Sequence, residues 1–376
     1  MSGKASLSDR GRSSHKTHFV AGMSGGVDSS VTASLLADAG HRVTGLFMKN
    51  WEEDDAQGCS AATDLADAER VASVLGIELR TVNFATEYWD RVFTEFLREH
   101  EAGRTPNPDV ICNREIKFKE FKAHAEWLGA EKVATGHYAR VVHEDSDIKL
   151  LRAKDRSKDQ TYFLHALSQS ALAAVEFPLG ELHKSEVRTL AAARGLPTHD
   201  KRDSTGICFI GERPFRQFLG RFLRGQQGPI LDQRGRLVGS HRGAVFYTIG
   251  QRRGIGIGGV AGTTNEPWYV YAKCVTDNTL QVVQGTHHPL LYSNTVRASR
   301  AHWIAGTPPG GTFYATAKTR YRQPDQACRV AAGAGGLLEV LFELPQRAIT
   351  PGQFIVFYDG EECLGGAIIE ASWTAH

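Results

Sequence analysis

Two cysteines, one carboxylate and one glycine loop carry the chemistry this sequence can do. In Thr105-Pro-Asn-Pro-Asp-Val-Ile-Cys112-Asn113, two prolines and Asp109 precede Cys112, which the pattern sets near the start of a helix. A helix N-terminus stabilises a thiolate, so Cys112 is a candidate nucleophile; Asp109 is a candidate acid/base, although its charge opposes a neighbouring thiolate. The competing reading is structural: the prolines make a rigid turn, Asp109 caps the helix, and Cys112 fills an apolar hole, as free cysteines commonly do. These residues alone leave both open. Asp203-Ser-Thr-Gly-Ile-Cys208-Phe-Ile-Gly211 puts a second cysteine in a short apolar strand bounded by glycines, at a predicted domain boundary where ligands often bind. Cys59, Cys274, Cys328 and Cys363 lie in ordinary loop or strand contexts and are read as bystanders.

Ser24-Gly25-Gly26-Val27-Asp28-Ser29 joins a predicted strand to a predicted helix, where backbone N–H groups and the helix dipole favour an anion. Gly25 and Gly26 let the backbone approach a phosphate, and Ser24 and Ser29 add hydroxyls. A carboxylate in such a site calls for a cation, so the sequence predicts Mg2+ between Asp28 and the phosphates. The Walker A spacing and its lysine are absent. A capped glycine turn is the bland alternative. A second glycine run, Gly254 to Gly259, precedes no helical pattern and reads as a hairpin turn.

These residues need a scaffold. Apolar runs and helical periodicities alternate from His18: a strand at 18–22, a helix at 28–39, a strand at 42–48, a helix at 63–75, a strand at 78–84 and a helix at 86–100. A helix at 114–128, a strand at 132–135 and a helix at 184–194 continue the pattern. Such βαβα alternation implies a doubly wound α/β parallel sheet covered on both faces. Past residue 205 the texture changes, with 14 glycines in residues 201–270 and strands at 237–249 and 268–275. Short strands then recur at 312–319, 328–330, 337–342 and 354–358, a spacing that suits a small β-barrel or sandwich. The expected division is a disordered tail over 1–16, a catalytic α/β domain over 17–210, a glycine-rich middle domain over 211–285 and a C-terminal β-barrel over 286–376. The basic, Ser-rich start also allows a transit peptide, which Asp9 and the missing amphipathic pattern disfavour.

Composition narrows the partners. At 376 residues the chain can bury a large core, and its six cysteines include no zinc-type spacing and no disulfide scaffold. No apolar run approaches a membrane span, and the expected location is the cytoplasm. The formal charge of +2 conceals an uneven distribution: residues 201–260 carry 11 Lys plus Arg against 3 Asp plus Glu. A basic middle region fits an RNA backbone, although it also fits a merely solvated face. Its Phe215, Phe218, Phe222 and Phe246 read as core more than as platforms for bases.

The loop SGGVDS resembles that of the N-type ATP pyrophosphatases (the PP-loop), which split ATP between its α- and β-phosphates. GLFMKNWEEDD, TPNPDVICNREIKF, TGHYAR, SKDQTYFL, DSTGICFIGER, FYTIGQRRGIGIGG and KTRYRQP follow in order, and together they resemble the tRNA-specific 2-thiouridylase family over residues 18–370. The resemblance implies ATP-dependent replacement of the C2 oxygen of the wobble uridine of tRNA by sulfur carried as a persulfide. It implies that Gly22, Met23, Ser24, Gly25, Gly26, Val27, Asp28 and Ser29 hold ATP, with Met48 and Gly136 at the adenosine end. By the same resemblance Asn107, Pro108 and Asp109 face the target base, and His137, Lys158, Asp159, Gln160, Arg320, Tyr321 and Gln353 meet the tRNA. Cys208 would carry the persulfide, Cys112 would act as nucleophile and close a transient disulfide with it, and Asp109 would be the acid/base. A persulfide sulfur-relay protein or a cysteine desulfurase is the implied partner. Another adenylating tRNA-modifying enzyme or synthetase using the same loop, with neither cysteine essential, is the enzymatic alternative; a silent tRNA-binding module is the non-enzymatic one.

Overall fold

A computed structural model describes residues 16–52, 60–144, 147–203, 215–260, 262 and 264–375. The predicted tail, Cys59, Cys208 with its surrounding strand, and Arg213 lie outside the described residues.

The first sheet is parallel throughout. Its strands are β1 (His18–Gly22), β2 (Arg42–Lys49), β3 (Glu78–Asn83), β4 (Lys132–Ala134) and, after two strands that leave for another sheet, β7 (Val175–Glu176). They stand in the order β3-β2-β1-β4-β7. The chain winds outward in one direction from β1 to β3, then crosses back to place β4 on the other side of β1. The switch point between β1 and β4 is where crevices form in doubly wound sheets. Helix α1 (Val27–Asp38) follows β1 and packs on α9 (Lys184–Ala193), while α2 (Ser60–Leu75) precedes β3. Val20, Ala21, Val31 and Ala33 are fully buried between these layers, as a sheet covered on both faces requires.

The helix expected at 86–100 is present with an interruption: α3 (Ala85–Tyr88), a π-helical stretch (Trp89–Phe93) and α4 (Thr94–Glu101) run on end to end. The helix expected at 114–128 begins earlier. It starts with α5 (Pro108–Cys112), passes through a π-helical stretch (Asn113–Glu120) and ends as α6 (Phe121–Trp127). Its N-cap is Asn107, whose Oδ1 accepts from the Asp109 backbone N–H at 3.2 Å, with Pro108 at the first helical position. That proline lacks a donor at a place where none is needed.

The hairpin β5 (Ala139–Glu144) and β6 (Asp147–Arg152) belongs by sequence to the α/β region but pairs with the C-terminal sheet, Cys363 opposite Leu150. There β12 (Tyr292–Trp303), β13 (Thr312–Lys318), β14 (Gln326–Ala332), β15 (Leu338–Arg347), β16 (Phe354–Asp359) and β17 (Glu362–Trp373) run in the order β12-β15-β14-β13-β16-β17, and β17 pairs back to β12. The ring is closed, so the predicted barrel is a barrel and has no free edge. Between the two units lies a four-stranded sheet of order β10-β11-β8-β9, from β8 (Gly228–Asp232), β9 (Leu237–His241), β10 (Trp268–Cys274) and β11 (Thr279–Gln284). The strand expected at 237–249 ends at His241, because Gly243 at φ 132° turns the chain into a short 3-10 helix. The run Gly254 to Gly259 is loop with no helix behind it.

Aromatic packing docks the middle region onto the α/β unit. Phe218 and Phe222, on and just after α10 (Phe215–Leu219), sit 5.8 and 4.8 Å from the ring of Phe93 and meet Trp51 as well. These phenylalanines are core, as read from the sequence, and not platforms for bases. Phe218→Ala should cost roughly 3 kcal/mol, seen as a lower denaturation midpoint. His100, also at this junction, is buried, and burial, with Lys273 nearby, pushes its imidazole down to about 4. The unfolded chain therefore binds the proton first: stability present above about 6.5 is lost as the pH falls toward about 4. Urea midpoints measured across that window should fall, and His100→Gln should flatten the fall.

Candidate functional site

Two places at the carboxyl end of the parallel sheet hold the candidate residues. The first is the glycine loop. β1 ends at Gly22, the Met23 N–H donates to the Leu46 carbonyl at 2.9 Å, and α1 begins at Val27 behind Gly26. Gly25 has φ +70°, and a side chain there would meet the Asp64 carbonyl oxygen at 2.2 Å, so only glycine fits. The Ser24 backbone N–H and hydroxyl both donate to Ser29 Oγ at 3.2 Å. Gly136 follows β4, and a Cβ there would lie 2.9 Å from the Asp28 carbonyl carbon and the Ser29 nitrogen. The loop and Gly136 are thus packed backbone to backbone at the switch point; Met48, near the end of β2, is half-buried against the core.

Ionic contacts that the sequence reading missed surround this loop. The Lys184 ammonium lies 2.7 and 2.8 Å from the two oxygens of Asp28, and the Tyr138 hydroxyl donates to Asp28 Oδ1 at 2.8 Å. Burial and the Asp28 charge raise the Tyr138 phenol, which stays protonated and able to donate. Lys201 donates to the Gly25 carbonyl at 2.9 Å and to Asp64 at 2.7 Å, and also pairs with Asp67. Asp28 offers the single carboxylate that Mg2+ needs when phosphates and water complete its shell, so its chemistry fits the ion, and in this arrangement Lys184 engages both of its oxygens. Among the described residues no group of three or more His, Cys, Asp or Glu could hold a metal.

The second place is a cavity of about 540 Å3 where all three sheets' surroundings meet. Asn107 and Asp109 line it from the start of α5, Arg320 and Tyr321 from the loop after β13, and Gln353 from the turn before β16. Five residues that the resemblance implies, from distant parts of the sequence, therefore share one wall. Phe163, Thr248, Ile249, Gly250, Gln251, Arg322 and Thr350 complete it, and the motifs FYTIGQRRG and KTRYRQP contain five of these. The Gln353 carboxamide donates to the Thr105 and Pro106 carbonyls at 2.7 and 3.3 Å, which fixes the loop before Asn107. The Tyr321 ring packs 4.4 Å from that of Phe163. Cys112 lies one helical turn beyond Asp109 and is fully buried.

The other predicted tRNA contacts are placed differently. His137 hydrogen-bonds Thr135 at 2.8 Å between the rings of Phe118 and Phe177. Asp159 is buried and accepts from the Ala153 N–H at 3.0 Å and the Thr161 hydroxyl at 2.8 Å; Gln160 Oε1 accepts from the Tyr138 N–H at 2.9 Å. Lys158, half exposed, reaches Asp203 at 2.9 Å. The basic middle region presents Arg221, Arg224, Arg242, Arg252 and Arg253 to solvent, whereas Arg216 stacks over Tyr247. Burial raises the thiols of Cys328, to about 12, and of Cys363, as suits inert bystanders.

Comparison with known proteins settles the relationship. Residues 17–212 match the profile described as tRNA methyl transferase HUP domain, residues 216–284 the corresponding PRC-barrel domain, and residues 293–369 the aminomethyltransferase beta-barrel domain. Proteins named tRNA-specific 2-thiouridylase MnmA are similar over nearly their whole length. That of Alcanivorax borkumensis is 56% identical, covering 94% of this chain and 97% of the relative. That of Paracidovorax citrulli is 57% identical, covering 96% and 97%. The chain belongs to the tRNA-specific 2-thiouridylase family. As a 2-thiouridylase it carries the parallel sheet and closed C-terminal barrel that the sequence predicted, and the predicted glycine-rich β-containing middle domain is the region that matches the PRC-barrel profile. No helix among the described residues is long and apolar enough to cross a membrane.

The tight contact at Gly136 gives a direct check. Gly136→Ala should displace Asp28 and Ser29 and weaken ATP binding about tenfold, because the added carbon meets backbone that cannot yield; equilibrium binding of a fluorescent ATP analogue measures it.

Proposed function

We propose that this chain is an ATP-dependent tRNA uridine 2-sulfurtransferase acting on the wobble base. The observation that carries the reading is the cavity in which Asn107, Asp109, Arg320, Tyr321 and Gln353 converge, one helical turn from Cys112, in a member of the 2-thiouridylase family. The loop Gly22 to Ser29 holds the ATP phosphates with backbone N–H groups and the Ser24 and Ser29 hydroxyls, with Met48 and Gly136 toward the adenosine. Mg2+, held by Asp28, supplies neutralisation of phosphate charge when bound.

The target uridine enters the cavity against Asn107 and Pro108, and its C2 oxygen attacks the α-phosphate, with pyrophosphate leaving. Cys208 brings a persulfide, loaded by a sulfur-relay protein or a cysteine desulfurase. The Cys112 thiolate attacks the Cys208 sulfur, forming a Cys112–Cys208 disulfide and releasing the terminal sulfur as hydrosulfide, which adds at C2 and expels AMP. Asp109 takes and returns the proton in this exchange. An external dithiol then reduces the disulfide, so electrons and atoms balance over the cycle. Arg221, Arg224, Arg242, Arg252 and Arg253 supply the sequence-independent grip on RNA phosphates. Lys158, Asp159, Gln160, His137, Arg320, Tyr321 and Gln353 act at the tRNA side, Asp159 and Gln160 by shaping the loop that presents Lys158.

Mass analysis of tRNA nucleosides after incubation with protein, ATP, Mg2+ and a persulfide source tests the reading. Cys208→Ser should yield no 2-thiouridine while ATP binding persists, and Asp109→Asn should lower turnover about 100-fold or more. Full thiolation by Cys208→Ser would refute the persulfide role.

A further inference from the structure

The mechanism above leaves Lys184, Arg188 and Asp203 unused, yet they form the densest ionic cluster beside the glycine loop. Three cations converge on the Asp203 carboxylate. Lys184 Nζ lies 2.8 Å and Arg188 Nη2 2.9 Å from Oδ1, and Lys158 Nζ lies 2.9 Å from Oδ2. Lys184 simultaneously holds both oxygens of Asp28, so the cluster is continuous with the first turn of α1. Its position is set from behind: the Lys184 backbone N–H, at the start of the ten-residue α9, donates to Asp155 Oδ2 at 2.9 Å. The stretch that brings Asp203 is pinned to the same loop, since the Thr198 hydroxyl donates to Ser30 Oγ at 2.9 Å and Lys201 to the Gly25 carbonyl at 2.9 Å.

The chain itself neutralises the cluster: Lys158, Lys184 and Arg188 face Asp28 and Asp203, with Asp155 at the Lys184 backbone N–H as the third carboxylate. The Lys184 side chain is 11% exposed, whereas those of Asp28, Lys158, Arg188 and Asp203 are 31% to 39% exposed, so the ammonium of Lys184 is the sheltered floor of a cluster otherwise open to solvent. A largely buried ammonium must keep an anionic partner, and in this arrangement the chain supplies its own. A carboxylate gripped by three cations presents the same acceptor edge as one phosphate group, with less charge.

We propose that Lys184 and Arg188 form a polyphosphate subsite that receives the pyrophosphate end of ATP, and that Asp203 occupies this subsite as a placeholder until the nucleotide displaces it and releases Lys158 to the tRNA side. This rests on the ATP-using reading and adds the residues that grip the leaving group. Displacement has two consequences in the same cluster. Lys184 moves its charge to a phosphate oxygen, which frees Asp28 for a cation, and Asp203 gives up the contacts that hold it against α9.

Binding of inorganic pyrophosphate and of AMP, measured separately by calorimetry on the full chain, distinguishes the subsite from general damage, because AMP lacks the group it would hold. Lys184→Met should weaken pyrophosphate about tenfold or more and change AMP little. Asp203→Asn should tighten pyrophosphate about threefold, since a competitor is removed, a gain that a purely structural aspartate would not give. Arg188→Gln, on the outer face of α9, should weaken pyrophosphate and reduce the salt dependence of its binding, and remains informative if Asp203→Asn does not fold. Unchanged or weaker pyrophosphate binding by folded Asp203→Asn would overturn the placeholder, and equal losses for pyrophosphate and AMP in Lys184→Met and Arg188→Gln would overturn the subsite. Wild-type protein that binds neither ATP nor pyrophosphate would instead refute the ATP reading itself.

Discussion

The cavity depends on buried side chains that donate to loop carbonyls. Where the α/β unit, the middle sheet and the barrel meet, the backbone has left its regular ladders, and each carbonyl removed from water needs a donor. Arg320 supplies one guanidinium nitrogen to the carbonyls of Ile249 and Ala348, joining the middle region to the barrel. Gln353 serves Thr105 and Pro106, and the Thr105 N–H returns a bond to the Pro351 carbonyl at 2.9 Å, joining the barrel to the α/β unit. Arg104 reinforces the second seam by pairing with Glu99 on its own side and Glu370 on the barrel, both at 2.6 Å. Arg320 and Gln353 therefore build the cavity wall and face its interior, and neither role can be altered without the other.

The glycine loop is governed by a different constraint, the approach of backbone to backbone at the switch point. Gly25 against the Asp64 carbonyl and Gly136 against Asp28 and Ser29 leave no room for side chains, so the loop is clamped from two sides. A rigid loop is what phosphate binding requires, since donors that are already aimed need no reorganisation when the charge arrives. The cations nearby, Lys184 and Lys201, are by contrast engaged with carboxylates.

Much of this was legible in residue order. The periodicity from His18 to Asn83 gave the strands and helices nearly to the residue, because each is a local amphipathic or apolar run bounded by glycine or a cap. The hairpin at residues 139–152 escaped, since its pairing with β17 depends on contacts more than 200 residues apart in sequence. The π-helical stretches at Trp89–Phe93 and Asn113–Glu120 likewise leave no periodic mark. Motifs located Asn107, Asp109, Arg320 and Tyr321, and the family resemblance added Gln353, but only the closed fold brings them to one cavity. Lys184 and Asp203 were passed over for a physical reason: a lysine opening a helix and an aspartate before a glycine-rich stretch look like solvated caps until the tertiary structure sets them 2.8 Å apart.

The placement of Cys112 bears on both readings its sequence context left open. Full burial would suit the structural reading, and Asn107 rather than Asp109 caps the helix, which leaves the carboxylate to line the cavity. Helix α5 thus carries an acid/base candidate on the wall and a thiol one turn deeper, both fixed because the helix continues without a break into the core through Ile116, Phe118 and Phe121. A thiol so placed is shielded from bulk oxidants. Its companion in the proposed exchange, Cys208, follows Asp203 on a separate stretch of the sequence, so helix α5 fixes the thiol and the carboxylate independently of it.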